Sequence, residues 1–130
     1  MCRKTRRLGD AELEIMQELW HADAAMTAGE ILEKLKVKRN WQLSTLMTSL
    51  ARLCDKGFVS CDRTYRQNLY QPIIEEEAYK AAESKRFLQR MYGSSIQGMF
   101  TTLYQCDILT ESDIDELRGL LDTLAEGRKK

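Results

Sequence analysis

The chain has 130 residues, of which 43% are hydrophobic and 31% charged, and its formal net charge is +0. This length allows one domain with a modest core, or one domain with an appendage. No apolar run approaches the roughly 20 residues that cross a bilayer, and the charged N-terminus does not resemble a signal peptide, so we expect a cytoplasmic protein without membrane insertion.

The charges are unevenly distributed along the chain. Residues 1–73 contain 12 Lys and Arg and 9 Asp and Glu, whereas residues 74–130 contain 8 and 11. The segment 36–66 alone contains seven bases and two acids. This separation suits a DNA-facing region joined to a partner-facing region. A solvated loop with scattered lysines is the alternative that charge alone leaves open.

The first predicted helix follows a basic tail, residues 1–7, that we expect to be poorly ordered. Apolar residues recur at helical spacing from Gly9 to His21. The predicted inward residues are Ile15, Met16, Leu19 and Trp20, and the predicted outward residues are Glu12, Glu14, Gln17 and Glu18.

A second helix is predicted from Ala28 to about Lys36, because Thr27 and Glu30 have the spacing of a capping box. Its predicted inward residues are Ile31, Leu32 and Leu35. A polar turn at 37–40 leads to Trp41, which we interpret as an anchor in the core or at the start of the next helix. Stacking on a ligand is the alternative for this ring.

The third predicted helix, Gln42 to Lys56, has one apolar and one polar face. The apolar face comprises Leu43, Leu46, Met47, Leu50, Leu53 and Cys54. The opposite face comprises Ser44, Thr45, Thr48, Ser49 and Arg52. Small hydroxyl residues lower helix propensity, so their presence favours DNA contact over an ordinary solvated face. The candidate DNA contacts are Ser44, Thr45, Thr48 and Arg52.

A β-hairpin is predicted next, with strands at 58–61 and 68–73 and a polar tip between them. At the tip, Arg63 and Arg66 are candidate contacts to phosphates or the minor groove, and Tyr65 is a candidate contact to the sugar-phosphate backbone. Three short helices followed by a hairpin predict a winged helix-turn-helix.

The remaining chain is predicted to form three helices, starting at about Glu75, after Gly93-Ser94-Ser95 and at Thr110. The last two have apolar stripes that exceed what they can bury within the segment: Ile96, Met99, Phe100, Leu103 and Tyr104, and Ile114, Leu117, Leu120, Leu121 and Leu124. We therefore expect a homodimer. A three-helix segment that folds on itself is the alternative.

The sequence thus predicts a mostly α fold. A winged helix-turn-helix DNA-binding domain occupies residues 1–73, and a three-helix dimerisation domain occupies residues 74–130. The predicted dimer contacts are Ile96, Met99, Phe100, Leu103, Leu117, Leu121 and Leu124.

Catalytic and metal-binding motifs are lacking. The chain has four cysteines without a C-x-x-C pair, one histidine, and no Gly-rich phosphate loop, H-E-x-x-H or G-x-S-x-G. We expect free thiols, no metal or other cofactor and no enzyme activity. A pair of His21 with Cys54 or Cys106 is left open by the sequence. A winged helix that contacts only proteins is another alternative.

Several motifs in this sequence resemble those of the penicillinase-repressor family, which includes BlaI, MecI and the copper-responsive CopY-type repressors. The segment Glu12–Trp20 is similar to the family's E-x-x-x-M-x-x-x-W signature. Further matches to the family's recognition helix, wing and dimerisation domain are Trp41, Thr45, Thr48, Arg52-Leu53, Lys56-Gly57, Tyr70, Pro72, Tyr92-Gly93 and Asp115-Glu116-Leu117-Arg118. The similarity extends from about Leu8 to Leu124.

The resemblance implies a homodimeric transcriptional repressor that binds an inverted-repeat operator before genes for β-lactam (antibiotic) resistance or a related stress. In that family, a membrane sensor protease triggers cleavage at an Asn-Phe bond in the dimerisation domain. The aligned position here is Thr102-Leu103, which lacks the Asn. CopY-type relatives sense metal through a C-terminal cysteine cluster, and the tail Ala125–Lys130 contains no cysteine.

Overall fold

The computed structural model describes residues 7–128. Positions 1–6, which include Cys2 and most of the predicted basic tail, lie outside the described residues. Within 7–128 the elements are α1 (Asp10–His21), α2 (Ala28–Leu35), α3 (Leu43–Asp55), β1 (Val59–Asp62), β2 (Leu69–Pro72), α4 (Glu76–Tyr92), α5 (Ile96–Gln105) and α6 (Glu111–Arg128). The predicted fold class, mostly helical with an N-terminal winged helix, is confirmed.

The helix starts follow local sequence signals. The Glu30 backbone N–H donates to Thr27 Oγ1 (3.2 Å), and the Thr27 N–H donates to Glu30 Oε1 (2.9 Å), as the capping-box spacing predicts. At α6 the Asp113 N–H donates to Thr110 Oγ1 (3.1 Å). Two reciprocally satisfied backbone donors at each site fix where α2 and α6 begin.

The core of the winged helix lies between α1, α2, α3 and the hairpin. Its nearly inaccessible side chains are Ile15, Met16, Ile31, Leu35, Leu46, Leu50, Leu53, Phe58 and Val59. Gly57 has φ +83, a left-handed conformation that costs glycine little, and the Phe58 N–H then donates to Leu53 O (2.9 Å). This turn directs the chain from α3 into the wing.

The hairpin strands are antiparallel, with Val59 opposite Pro72 and Cys61 opposite Tyr70. Met26 adds an isolated bridge, because its N–H and C=O both pair with Tyr70 (2.9 and 2.7 Å). The base of the wing is therefore fastened to the segment between α1 and α2.

The start of α4 belongs to the winged-helix unit. Tyr79 is buried, its hydroxyl accepts a hydrogen bond from the Leu8 N–H (3.0 Å), and its ring lies 5.9 Å from the rings of both Trp20 and Phe58. The compact units accordingly divide between Glu83 and Ser84, ten residues later than the sequence places the boundary. The roles assigned to the two domains remain predictions.

The second unit contains the end of α4, α5 and α6. No described side chain of α5 or α6 is buried. In the whole described range, 7–128, no helix combines the length and apolar character needed to cross a bilayer.

Four orientations predicted from periodicity are wrong. The periodicity predicts that Glu12 faces outward, but it is buried, because Lys56 and Gly9 bind its carboxylate. It predicts that Ser49 lies on the exposed face of α3, but Ser49 is buried. It predicts that Leu43 and Met47 lie on the buried face, but they are exposed, because Leu46, Leu50 and Leu53 already fill the contact with the core.

Candidate nucleic-acid interface

The solvent side of α3 carries a row of polar side chains one helical turn apart. Ser44, Thr48 and Arg52 are spaced i, i+4, i+8, and all three are exposed. Side chains at this spacing lie one above the other on a helix surface. Two hydroxyls and a guanidinium therefore form a continuous strip that presents donors and acceptors to one ligand.

The hydroxyl of Thr48 is already engaged within the helix. Thr48 Oγ1 donates to the Ser44 carbonyl oxygen (3.0 Å). Its proton is therefore occupied, while its lone pairs and its methyl group remain available. In this state Thr48 suits an amino group on a base edge, which donates, better than a carbonyl oxygen, which accepts.

Thr45 lies beside this row, at the edge of a shallow depression. The depression is lined by Ala11, Arg39, Asn40, Trp41, Gln42 and Thr45. Trp41 is 5% exposed, its Nε1–H donates to Glu14 Oε1 (3.2 Å), and the Arg39 guanidinium lies 5.2 Å from the centre of its ring. Trp41 thus fixes the start of α3, in agreement with its interpretation as an anchor.

The wing tip presents its candidate residues to solvent. Arg63, Tyr65 and Arg66 are exposed. The Thr64 N–H donates to Asp62 Oδ1 (2.9 Å), and hydrogen bonds from Thr64 hold the pKa of Asp62 below its ordinary value. This local turn keeps the tip compact and Asp62 charged.

The Cys54 thiol, near the end of α3, is influenced by charged and titratable groups of both the helix and the wing. Burial raises the pKa of the Cys54 thiol, with further increases from Cys61 and Asp55, whereas the positive charge of Arg63 lowers it. Arg63 is therefore close enough to α3 for its charge to act there. Arg63 directly follows β1, whereas Tyr65 and Arg66 lie further along the tip.

Ion pairs with α1 neutralise part of the basic segment 36–66. The sequence pattern does not predict these ion pairs. Three of the segment's seven bases are paired: Lys38 with Glu18 (3.1 Å), Arg39 with Glu14 (2.8 Å) and Lys56 with Glu12 (2.8 Å). Within residues 7–128, no side-chain ion pair engages the other four: Lys36, Arg52, Arg63 and Arg66. The spacing of Glu14 and Glu18, i and i+4 on α1, indicates that their two carboxylates lie on one face of the helix. No neighbouring residue in the sequence indicates which bases they pair with.

The predicted dimer contacts lie in the second unit at two levels of exposure. Ile96, Leu121 and Leu124 are each 56% exposed. Met99, Phe100, Leu103 and Leu117 are half-buried. The candidate cleavage position, Thr102-Leu103, lies inside α5, where Thr102 Oγ1 donates to Gly98 O (3.1 Å) and Thr102 O accepts from the Cys106 N–H (3.1 Å).

The described thiols and the histidine have separate surroundings. Cys54 and Cys61 are half-buried free thiols, and Cys106 is an exposed one. His21 Nε2 lies 3.6 Å from Glu76 Oε2. Among residues 7–128, no three His, Cys, Asp or Glu side chains are grouped so that they could hold a metal ion.

Known proteins resemble this chain over nearly its whole length. A family model described as Penicillinase repressor matches residues 8–123. The penicillinase repressor of Bacillus licheniformis is 30% identical over 98% of each chain. The methicillin resistance regulatory protein MecI of Mammaliicoccus sciuri is 29% identical over 94% of this chain and 98% of its own.

A solved structure supports the same assignment for the winged helix. It is the B. licheniformis BlaI monomeric form in complex with the blaP half-operator, at 32% identity and a TM-score of 0.50, covering 58% of this chain and 92% of that one. The family consists of DNA-binding repressors, not enzymes. With a family match from residue 8 to residue 123 and the same winged helix, this chain belongs to the penicillinase-repressor family.

Proposed function

We propose that the protein represses transcription by binding an inverted-repeat operator as a homodimer, and that it controls genes for β-lactam resistance or a related stress. The observation that carries this proposal is the exposed strip of hydroxyls and a guanidinium on α3, together with the exposed arginines of the wing tip. The relatives support β-lactam resistance genes as the regulated genes, because two of these relatives are named for penicillinase and methicillin resistance.

In this proposal α3 enters the major groove. Ser44, Thr45 and Thr48 contact base edges, and Arg52 binds a guanine edge or a phosphate. At the wing, Arg63 and Arg66 bind phosphates or the minor groove, and Tyr65 contacts the sugar-phosphate backbone. The α1 acids form their ion pairs with Lys38, Arg39 and Lys56, and not with these arginines, whose side chains are exposed to a ligand.

The second unit supplies the dimer contact in this proposal. Its leucines on α6 and its apolar residues on α5 are exposed or half-buried, and a second copy would remove them from water. Two linked winged helices then bind two half-sites, and the effective concentration of the second raises avidity by ~10²–10⁴.

The proposal includes induction through a membrane sensor protease that triggers cleavage of the repressor. Cleavage at Thr102-Leu103 would remove α6 and part of the dimer contact, and the operator would be released as avidity falls. Because this bond lies inside a hydrogen-bonded helix, α5 must unwind locally before a protease can bind it in extended form. The position also lacks the family's Asn, so a different protease specificity is required.

The test is a comparison of specific and random DNA. Footprinting on the DNA upstream of the protein's own gene defines the operator. Thr45→Ala and Thr48→Ala should then each weaken operator binding by ~1–3 kcal/mol and random-duplex binding much less. Thr101→Ala, an exposed threonine of α5, is the matched control and should change neither. Equal losses on both DNAs would show that α3 does not read sequence.

A further inference from the structure

A second row of side chains runs along α3 beside the polar one. Leu43, Met47 and Ala51 are spaced i, i+4, i+8, each one residue before its polar neighbour, and all are exposed. Leu43 is 52% and Met47 41% exposed. The outer face of α3 therefore consists of an apolar row and a hydrogen-bonding row side by side.

The apolar row is not part of the core of the winged helix. The core contact of α3 is made by Leu46, Leu50 and Leu53, which are almost completely inaccessible. Leu43 and Met47 lie outside this contact and expose about half of their surface on the helix that carries the candidate DNA contacts. A ligand that covers this row removes its apolar surface from water, which is favourable.

The major groove offers one apolar group, the C5-methyl of thymine, next to the donors and acceptors of the base edges. A helix with an apolar and a polar row matches this mixture, because it offers one row to methyl groups and the other to polar base edges. We infer that Leu43 and Met47 read thymine methyl groups in the operator. This inference rests on the proposed function and adds a specificity determinant to it.

The charges around the row favour DNA over a protein as the occupant. Arg52 lies in the adjacent row, and Lys36 directly follows α2; both are exposed, and neither has an ion pair within residues 7–128. A protein helix docked on Leu43 and Met47 would have to desolvate or pair Arg52. DNA supplies methyl groups and phosphates together, so it satisfies both kinds of side chain.

The experiment uses the full-length protein and a duplex selected from random sequence for tight binding. Each thymine of the duplex is replaced in turn by deoxyuridine, which removes only the methyl group. We expect replacement at one or two positions per half-site to weaken binding by about three- to tenfold. Leu43→Ala and Met47→Ala should weaken binding to the thymine duplex by a similar factor and should no longer respond to the replacement. Ile73→Ala, an exposed apolar residue outside α3, is the matched control and should retain the wild-type response.

The possible results distinguish failure of this inference from failure of the proposed function on which it rests. Loss of the methyl response in the Leu43 or Met47 variant, with thermal unfolding unchanged, supports the inference. Tight, sequence-selective binding that no deoxyuridine weakens would overturn it and leave the proposed function intact. So would variants of Leu43 and Met47 that bind as well as the wild type, which would point to a protein partner for this row. Failure to select any duplex would overturn both.

Discussion

The carboxylate of Glu12 joins the start of α1 to the end of α3. It accepts from the Gly9 N–H (3.0 Å), and Lys56 Nζ donates to both of its oxygens (2.8 and 2.9 Å). Burial alone raises the pKa of Glu12, but the hydrogen bonds from Lys56 and Gly9 and the charges of Lys56 and Arg52 outweigh it, so the pKa lies below its ordinary value of 4.5. The folded state therefore favours the ionised form.

This lowered pKa predicts acid sensitivity of the winged helix. The stabilisation by Glu12 is fully present above its ordinary pKa and is lost as pH falls from about 4.5 through the lower folded value. Glu12→Gln should flatten the decline of unfolding free energy over that interval, measured by urea unfolding at several pH values. Glu33→Gln, an exposed acid of α2, is the control and should keep the wild-type slope.

Removing the cation gives a second measurement of the same contact. Lys56→Met leaves a buried carboxylate without its partner and should destabilise the protein by about 1–3 kcal/mol at neutral pH. In the double variant with Glu12→Gln the loss should be smaller than the sum of the single losses. Additive losses would indicate that the two side chains act independently.

At the scale of elements, α1 controls how much positive charge the turn between α2 and α3 presents. Glu18 and Glu14 neutralise Lys38 and Arg39 on that turn. A cation held by a carboxylate contributes little to the neutralisation of DNA phosphates, on which nonspecific affinity depends. We therefore expect the acids of α1 to lower the affinity for random DNA relative to that for the operator.

Glu18→Gln should free Lys38 and raise affinity for random duplex about two- to fivefold at low salt, with a salt slope steeper by up to about one. Fluorescence anisotropy over a range of salt concentrations measures both. Asp23→Asn removes the same charge from an exposed site in the same unit and corrects for the change in net charge. If the affinity for random duplex rises equally in both variants, the ion pair between Glu18 and Lys38 does not limit nonspecific binding.

The elements that sequence predicted best are those specified by neighbouring residues. Thr27 and Glu30 fix α2, and Gly57 permits the turn into the wing, because each acts within a few residues. The periodicity predicts an outward Glu12 because the partner of this residue, Lys56, is 44 residues away and no periodic pattern indicates it. It predicts inward Leu43 and Met47 for a related reason: helical spacing identifies apolar positions but does not show which neighbouring rows the core has room to cover.

At the scale of the whole molecule, the exposed leucines of α6 are the feature that the single chain leaves unexplained. Leu121 and Leu124 are more than half exposed, and no described side chain of α5 or α6 is buried. A short unit that buries so little has little hydrophobic stabilisation of its own. Its stability is therefore expected to depend on protein concentration.

Leu121→Glu with Leu124→Glu should convert the proposed dimer to a monomer, because charges are costly in an apolar interface. Light scattering gives the mass, and operator titration should show a loss of avidity of ~10²-fold or more. Thr123→Glu places one such charge on another side of α6 and should leave mass and affinity unchanged. The fragment 1–102, which lacks α6, should likewise be monomeric; a dimeric fragment with unchanged affinity would contradict this role.

The positions of the two tryptophans make the winged helix optically distinguishable from the rest of the chain. Trp20, whose Nε1–H donates to Ile74 O (2.8 Å), and Trp41 both lie in the first unit, and the sequence contains no others. Intrinsic emission therefore reports the unfolding of that unit, whereas far-ultraviolet circular dichroism includes α5 and α6. If the C-terminal helices melt first, the dichroism transition will begin at lower denaturant than the emission change, and dilution will widen the gap between the two curves.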